Sequence, residues 1–502
     1  MSITKVSYSM INGECISILD YGAVAEVGYD NTTAISTAIL AAQASGKSLF
    51  IPASPVPFEH SGALVISGSA TSRVRICGEN SLIYYPAILT SSLKFTGSTG
   101  HAIEVNGSSV GDGSPVSFEL SGVSYIGNTL CSGAVKITRG WYASILNNSF
   151  FGFNNAAGGV ITFSASVLNP GAFSGTSIVK GNNFATSGTC VLLTGSTGGV
   201  VNAVTIENNI GIDQSYGVSS NFEADTENTL HIVIKGNHFE GSTNASVYSK
   251  NAAKNWVIHD NYFEPSLNNS AIIDINGSNN YGISIRNNAF SKELQSTGAT
   301  LIYIQNASKV SVVDNVSNSG GLNDRYSCVL ALCLNVEADI LKCTNPLVPT
   351  SYPINLNSTI HFTGPVTDTW RVVPGSGAGQ FVGISAGDGW PGGTVCTVEA
   401  EYNKTNKNVS FNFEATVTTK SAVAGNVLVG VFPLPNYGNK VIFPVQILNF
   451  SGTQPQPYYG VFPGGGVTTA TIYDAAGNAL NYQVAINVGT VIRANLSYLT
   501  RE

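Results

Sequence analysis

A short turn recurs along the middle of this chain and restricts its fold more than any other feature. The segments SILNNSF, SIVKGNNF, VTIENNI, IVIKGNHF, WVIHDNYF, ISIRNNAF and VSVVDNV align on Asn148, Asn182, Asn209, Asn237, Asn261, Asn288 and Asn315, at separations of 34, 27, 28, 24, 27 and 27 residues. A repeat of that length, built of short strands and turns, is one coil of a β-solenoid. Neighbouring coils lie about 4.8 Å apart, so an Asn held at the same turn of each coil stacks into a ladder of side-chain amides. Phe150, Phe184, Phe239, Phe263 and Phe290, two or three residues after many of these Asn, are expected to stack inside in the same way.

A second register supports the coil count. In HAIEVNG, GAVKITRG, GVITFSA, CVLLTG, SNFEA, ASVYSK, AIIDING and TLIYIQN, period-2 alternation turns the flanking apolar residues inward and the residue between them outward. That outward column reads Glu104, Lys136, Thr162, Leu192, Glu223, Tyr248, Asp274 and Tyr303. The fold class that follows is all-β: a right-handed parallel β-helix from about Gly100 to Cys343, eight coils long in this column. Composition agrees, because hydrophobic residues make up 43% of the chain and charged ones 11%, with 54 Gly for polar, uncharged turns.

The ends differ from the middle. Residues 1–19 form a short lead-in, and DNTTAISTAILAAQASG places Ile35, Ala38, Ile39 and Ala42 at i, i+3, i+4 and i+7, which predicts one amphipathic capping helix. Asp30 or Asn31 suits its start and Gly46 its left-handed end. The β-helix with its cap is placed at 20–345, a Pro-rich linker at 346–365, and a C-terminal antiparallel β-sandwich at 366–502, where the coil rhythm gives way to irregular alternating strands. A net charge of −7 without a Lys/Arg cluster gives no attraction to nucleic acid or to an anionic membrane. Eight scattered cysteines lack zinc spacing and read as buried small hydrophobes. The N-terminus MSITKVSYSM lacks the apolar segment of a secretory signal, which implies synthesis in a reducing cytoplasm.

The opening carries a recognisable pattern: Asp20-Tyr21-Gly22-Ala23, Asp30-Asn31-Thr32, Ala34-Ile35, Ala38-Ile39, Gly46, Phe50-Ile51-Pro52 and Val74-Arg75-Ile76-Cys77-Gly78-Glu79-Asn80. It resembles the pectate-lyase-like superfamily as it occurs in bacteriophage tailspikes, over about 60 residues taken in order. AEVGY departs from the family's short Gly-Asp-Gly loop and affects only a turn. The resemblance implies a homotrimer of parallel β-helices on a phage tail, in contact with other tail proteins, that digests bacterial capsular or O-antigen polysaccharide outside the host. It assigns residues 366–502 to trimerisation or carbohydrate binding.

Glycoside hydrolysis needs a neutral acid and an ionised partner, about 5 Å apart for retention and about 6.5–9.5 Å for inversion. By the outward column, Glu223 and Asp274 lie two coils apart, with Tyr248 between and Tyr303 beyond as stacking platforms. Asp225 is a third carboxylate on that side. Glu240 and Glu264, each three residues after its ladder Asn, form a competing pair one coil apart, with His238 and Tyr262 beside them. Arg286 is a further candidate for contacting the sugar, and Trp390, Tyr458 and Tyr459 could bind sugar in the C-terminal part. No cofactor or metal is expected: Glu223, Asp225 and Glu227 are the only acids close enough to suggest calcium, and an exposed turn explains them better. Two alternatives stay open. A polysaccharide lyase would use Lys136, Arg139, Lys235, Lys250 or Arg286 to neutralise a uronate, and a non-catalytic receptor protein would need only the open face.

Overall fold

The structure, a computed structural model, describes residues 15–68, 73–79, 90–107, 116–140, 142–155, 158–165, 173–186, 188–195, 199–222, 229–265, 271–291, 300–317, 326–331, 333–339, 358–366, 395–405, 408–419, 428–430, 441–448, 457–462, 469–478 and 491–499. The chain divides into two compact units, Met1–Asn269 with Ile273–Asn279, and Ser270–Ile272 with Asn280–Glu502.

The first unit is a parallel β-solenoid with three sheets. Sheet I begins with Leu64–Gly68, His101–Gly107 and Gly133–Thr138 and reaches Ala245–Ser249 and Ala271–Ile275. Its parallel register carries one inward column through Ile103, Val135, Ile161, Val191, Val218, Val247 and Ile273, all fully buried. Sheet II runs from Cys15–Ser17 to Val257–His259 and sheet III from Phe58–His60 to Tyr262–Pro265. In sheet III, Tyr125, Phe150 and Phe184 share a column, Gly211 interrupts it, and Phe239 and Phe263 resume it. A Cβ at Gly211 would come within 2.9 Å of the Phe239 ring and 3.2 Å of the Cys190 sulfur, so the neighbours already fill that layer.

The turn between sheets II and III holds the amide ladder. The residue before each Asn is left-handed: Asn147, Gly181, Asn208, Gly236 and Asp260 have φ between 54° and 66°, a region that Gly, Asn and Asp enter at least cost. That backbone turn points the next side chain inward. Asn237 Oδ1 accepts from the backbone N–H of Asn209 at 3.0 Å and from its Nδ2 at 2.9 Å, while Asn237 Nδ2 donates to the Ile206 carbonyl at 2.9 Å and to Asn261 Oδ1 at 2.9 Å. The same pattern links Asn148, Asn182, Asn209, Asn237 and Asn261, every one of them buried.

The capping helix spans Thr32–Ser45, buries Ile35, Ala38, Ile39 and Ala42, and ends at Gly46 with φ 67°. Asp30 supplies the cap by accepting from the Thr32 N–H at 3.0 Å, and the Asn31 side chain instead ties the lead-in turn to Val24 and Glu59. Cys131, Cys190 and Cys333 are buried thiols, as expected of small hydrophobes, whereas Cys15 and Cys77 are only half-buried.

The second unit contains parallel coil strands as well: Asn280–Arg286 pairs with Ala307–Val313, and that strand with Leu334–Asp339. Asn288 and Asn315 continue the ladder pattern there at 2.9 Å. Antiparallel strands follow, paired in the order Ser358–Val366, Val395–Thr405, Asn408–Thr419, Val491–Leu499, Val441–Leu448, Tyr458–Phe462, Thr469–Tyr473 and Leu428–Gly430. The linker expected over 346–365 is corrected at its end. Ser358–Val366 is a strand that pairs in parallel with Leu334–Asp339 and antiparallel with Val395–Thr405. Its alternation was obscured by the prolines upstream, and 346–357 lie outside the described residues.

Two buried histidines bridge coils. His60 contacts the Gly62 carbonyl at 2.9 Å and the Tyr125 hydroxyl at 2.6 Å, and His101 reaches Thr162 Oγ1 at 3.1 Å across Gly133. Burial pushes both imidazoles down to about 4, with Lys136 adding to the effect at His101. Because the folded value lies below the unfolded 6.5, both contribute stability that is full above pH 6.5 and is lost as pH falls toward 4. Urea unfolding followed across that window should show a shallower acid decline in His101→Gln than in the parent chain. For the ladder, Asn237→Ala removes the acceptor of the Asn209 N–H, one of the two acceptors of Asn209 Nδ2, which keeps the Val179 carbonyl, and the side-chain donor to the Ile206 carbonyl. The expected loss in urea unfolding is about 1–3 kcal/mol, against about 0.5 kcal/mol or less for the outward-facing Asn183→Ala.

Candidate functional site

The outward column of sheet I reads Val65, Glu104, Lys136, Thr162, Leu192, Ser219, Tyr248 and Asp274. The expected place of Glu223 is thus taken by Ser219. The strand of that coil is Tyr216–Ser220, with Val218 as its inward residue, whereas an alternation phased on the apolar Phe222 turns Glu223 outward. Glu223 and Asp225 lie outside the described residues.

Asp274 brings a carboxyl with a displaced titration to this column. Burial pushes its carboxyl up to about 6, and its Oδ1 is shielded from solvent with no hydrogen-bond partner among the described residues. Tyr248 is its register neighbour, and Tyr216 packs against Tyr248 with ring centroids 5.3 Å apart. Burial and then the negative charge of Asp274 raise the phenols of both tyrosines. The arrangement is a carboxyl that holds its proton toward neutrality beside two aromatic rings. Such an acid can donate to a leaving oxygen, and such rings can stack on a sugar.

A second group sits on the outer face of sheet III. Register places Glu240 beside Glu264 and His238 beside Tyr262, one strand apart. The Tyr262 hydroxyl donates to Glu264 Oε2 at 3.1 Å, His238 Nε2 lies 3.8 Å from Glu240 Oε2, and the His238 ring meets Tyr262 edge-on at 4.7 Å. An adjacent-strand spacing of about 4.8 Å is near the ~5 Å separation of a retaining pair. Asp213 joins this edge: its N–H donates to the Glu240 carbonyl at 3.0 Å, and Gly241 stands over it.

Tyr216 and Asp213 were not singled out by the sequence. Tyr216 lies three residues before its column position, and Asp213 occupies a left-handed turn with φ 58°, outside the strand alternation. The segment Ile210-Gly211-Ile212-Asp213, IGID, aligned on HFEG, was the available signal for Asp213. Tyr303 and Arg286 belong to the second unit, where Tyr303 donates to Gln305 Oε1 at 3.0 Å and Arg286 registers with Val313. Lys235, one cation considered for a lyase, is bound at 2.7 Å to Glu207, which Lys180 also holds at 2.7 Å. Tyr458 is buried, Tyr459 points outward, and Trp390 lies outside the described residues.

No family model matches the chain, and no curated protein matches its sequence. Similar solved structures include the Dettilon tailspike protein (14% identity, 98% of this chain and 95% of that one, TM-score 0.46). They also include PfbA, a surface adhesin of Streptococcus pneumoniae (16%, 70% and 90%, TM-score 0.50), and DFA-IIIase from Arthrobacter chlorophenolicus A6 (12%, 66% and 94%, TM-score 0.43). What they share is the fold. A fold does not fix an activity, so the activity must be read from side chains.

The raised carboxyl of Asp274 makes a prediction independent of any substrate. Its ionisation opposes folding, so the destabilisation is absent below about pH 3.8 and complete above about pH 6. Asp274→Asn is therefore expected to raise the thermal midpoint at pH 7.5 and to leave it unchanged near pH 3.5, as calorimetry at the two pH values would register.

Proposed function

We propose that this chain is a tailspike-type depolymerase, a homotrimer on a phage tail attached through other tail proteins, which grips bacterial capsular or O-antigen polysaccharide and hydrolyses it internally. The observation that carries the reading is the shielded Asp274 carboxyl, its titration pushed up to about 6, beside Tyr216 and Tyr248 on an outward sheet face. A glycosidic oxygen leaves as an alcohol only if it is protonated in the transition state, and a carboxyl of pKa about 6 keeps that proton available near neutral pH. Tyr216 and Tyr248 hold the sugar by stacking while their rings limit water at the carboxyl.

The ionised partner is assigned to Glu223 or Asp225, three and five residues beyond the strand that carries Ser219. It would stabilise the oxocarbenium-like transition state or activate a water. Glu240, Glu264, His238 and Tyr262 then act as a subsite for a neighbouring sugar, with the two carboxylates accepting from its hydroxyls. Tyr303 and Arg286 are assigned to binding on the second unit. Hydrolysis is preferred to β-elimination because Lys235 is already engaged by Glu207 and the Asp274 group contains an acid with aromatics.

Incubation with purified capsular polysaccharides and O-antigens should release reducing ends without the ultraviolet absorbance of an unsaturated uronate. Asp274→Asn is expected to lower kcat about 10²–10⁴-fold while polysaccharide retention persists. Glu223→Gln or Asp225→Asn should match it, and Glu240→Gln and Glu264→Gln should chiefly raise KM. Full activity in Asp274→Asn sinks the assignment, and products carrying a new double bond sink the hydrolase.

A further inference from the structure

The C-terminal strands carry a group of side chains that the proposed reaction does not use. Val441–Leu448, Tyr458–Phe462 and Thr469–Tyr473 pair antiparallel. Their register sets Pro444, Tyr459 and Tyr473 in one row, and Ile442, Val461 and Thr471 in the next. The other face is the core, with Phe443, Val445, Ile447, Tyr458 and Ile472 buried. On the open face Ile442 is 61% exposed, far more than an isoleucine in a packed sheet. The Tyr459 and Tyr473 rings lie nearly parallel, 18° apart with centroids at 5.7 Å. Together with Ile442, Val461 and Gly477 they wall a cavity of about 460 Å³.

The rim of this cavity is braced by a hydrogen-bonded turn. Asp474 is buried, and its carboxylate accepts from the Ala476 N–H at 3.0 Å, the Asn478 N–H at 2.8 Å and Asn478 Nδ2 at 3.3 Å. That turn brings Gly477, with φ 83°, alongside Tyr459, where even a Cβ would lie 3.7 Å from the phenol oxygen. The five wall residues carry no charge. Their combination of near-parallel phenols, aliphatic flanks and hydroxyls at the edge matches the apolar face and equatorial hydroxyls of a pyranose, and the volume is within the range of small-ligand pockets, about 300–1,000 Å³.

We infer that this cavity is a second, non-catalytic carbohydrate site that takes a neutral pyranose unit of the polysaccharide on Tyr459 and Tyr473. It rests on the depolymerase reading and gives that reading a second point of attachment. A distant second contact raises retention on a long chain through effective concentration without touching the chemistry.

The test uses the full chain with Asp274→Asn, run by affinity electrophoresis through gels containing purified capsular polysaccharides or O-antigens, beside the same chain with Tyr459→Ala and Tyr473→Ala added. Retardation of the parent by at least one polysaccharide is expected, with an apparent Kd about tenfold weaker in the double variant, corresponding to about 1.4 kcal/mol. Tyr459→Phe should stay within about twofold, since the ring remains. In the catalytically intact chain, Tyr459→Ala with Tyr473→Ala should leave kcat on short fragments unchanged. Equal retardation of parent and double variant overturns the inference. A change in oligomeric mass of the double variant by light scattering also overturns it, since the groove would then seat a second copy of the chain. If no polysaccharide retards either chain, the depolymerase reading falls and this site falls with it.

Discussion

Each ladder asparagine sits in a turn where the coil must change direction while keeping its backbone groups bonded. The side-chain amide meets that demand because its length matches the strand spacing. Its oxygen accepts two donors from the coil below, and its nitrogen donates to a carbonyl of that coil and to the oxygen of the next Asn. Leaving such groups unpaired in the core would cost about 1–3 kcal/mol apiece, so one coil can settle only directly over another. The left-handed residue before each Asn is the entry condition, and Gly, Asn or Asp stands there in every coil of the ladder.

That vertical registration gives the outer faces their order. Once Val218, Val247 and Ile273 are stacked inside, Ser219, Tyr248 and Asp274 are stacked outside. The outer face is not uniformly wet, however. Thr162, Leu192 and Ser219 face outward by register and are nonetheless buried. Asp274 shares the partial shielding, which is why its carboxyl titrates as high as about 6. Glu240, at a comparable outward position on sheet III, is exposed. Two carboxyl groups of similar intrinsic chemistry are thereby given different work by the sheet that carries them, and this difference separates a proton donor from a hydrogen-bonding subsite in the proposed function.

The parts of the site that escaped the sequence share a cause. Alternation identifies a residue's side only after the phase of its strand is known, and in the SYGVSSNFEA stretch two phases were available. Phe222 is buried as deeply as Val218, but it lies beyond the strand, so a reading that took every buried apolar residue as part of the alternation moved the column from Ser219 to Glu223. Tyr216 reaches its place by ring size rather than by position, and Asp213 by a left-handed turn. The strand Ser358–Val366 likewise declares itself only through its two partners.

The amino-acid sequence by itself determined the coil length, the ladder, the capping helix over Thr32–Ser45, and the presence of aromatics and acids at recurring positions, because these depend on local turn chemistry and on a period that repeats. Only the tertiary structure decided that Tyr216 joins the Asp274 and Tyr248 that share a column, and that the Asp274 carboxyl is shielded while Glu240 is exposed. It also separated Tyr459 from its buried neighbour Tyr458 and set it against Tyr473. Those outcomes depend on burial and on ring-to-ring contact between strands distant in the chain, quantities that no spacing along a single sequence encodes.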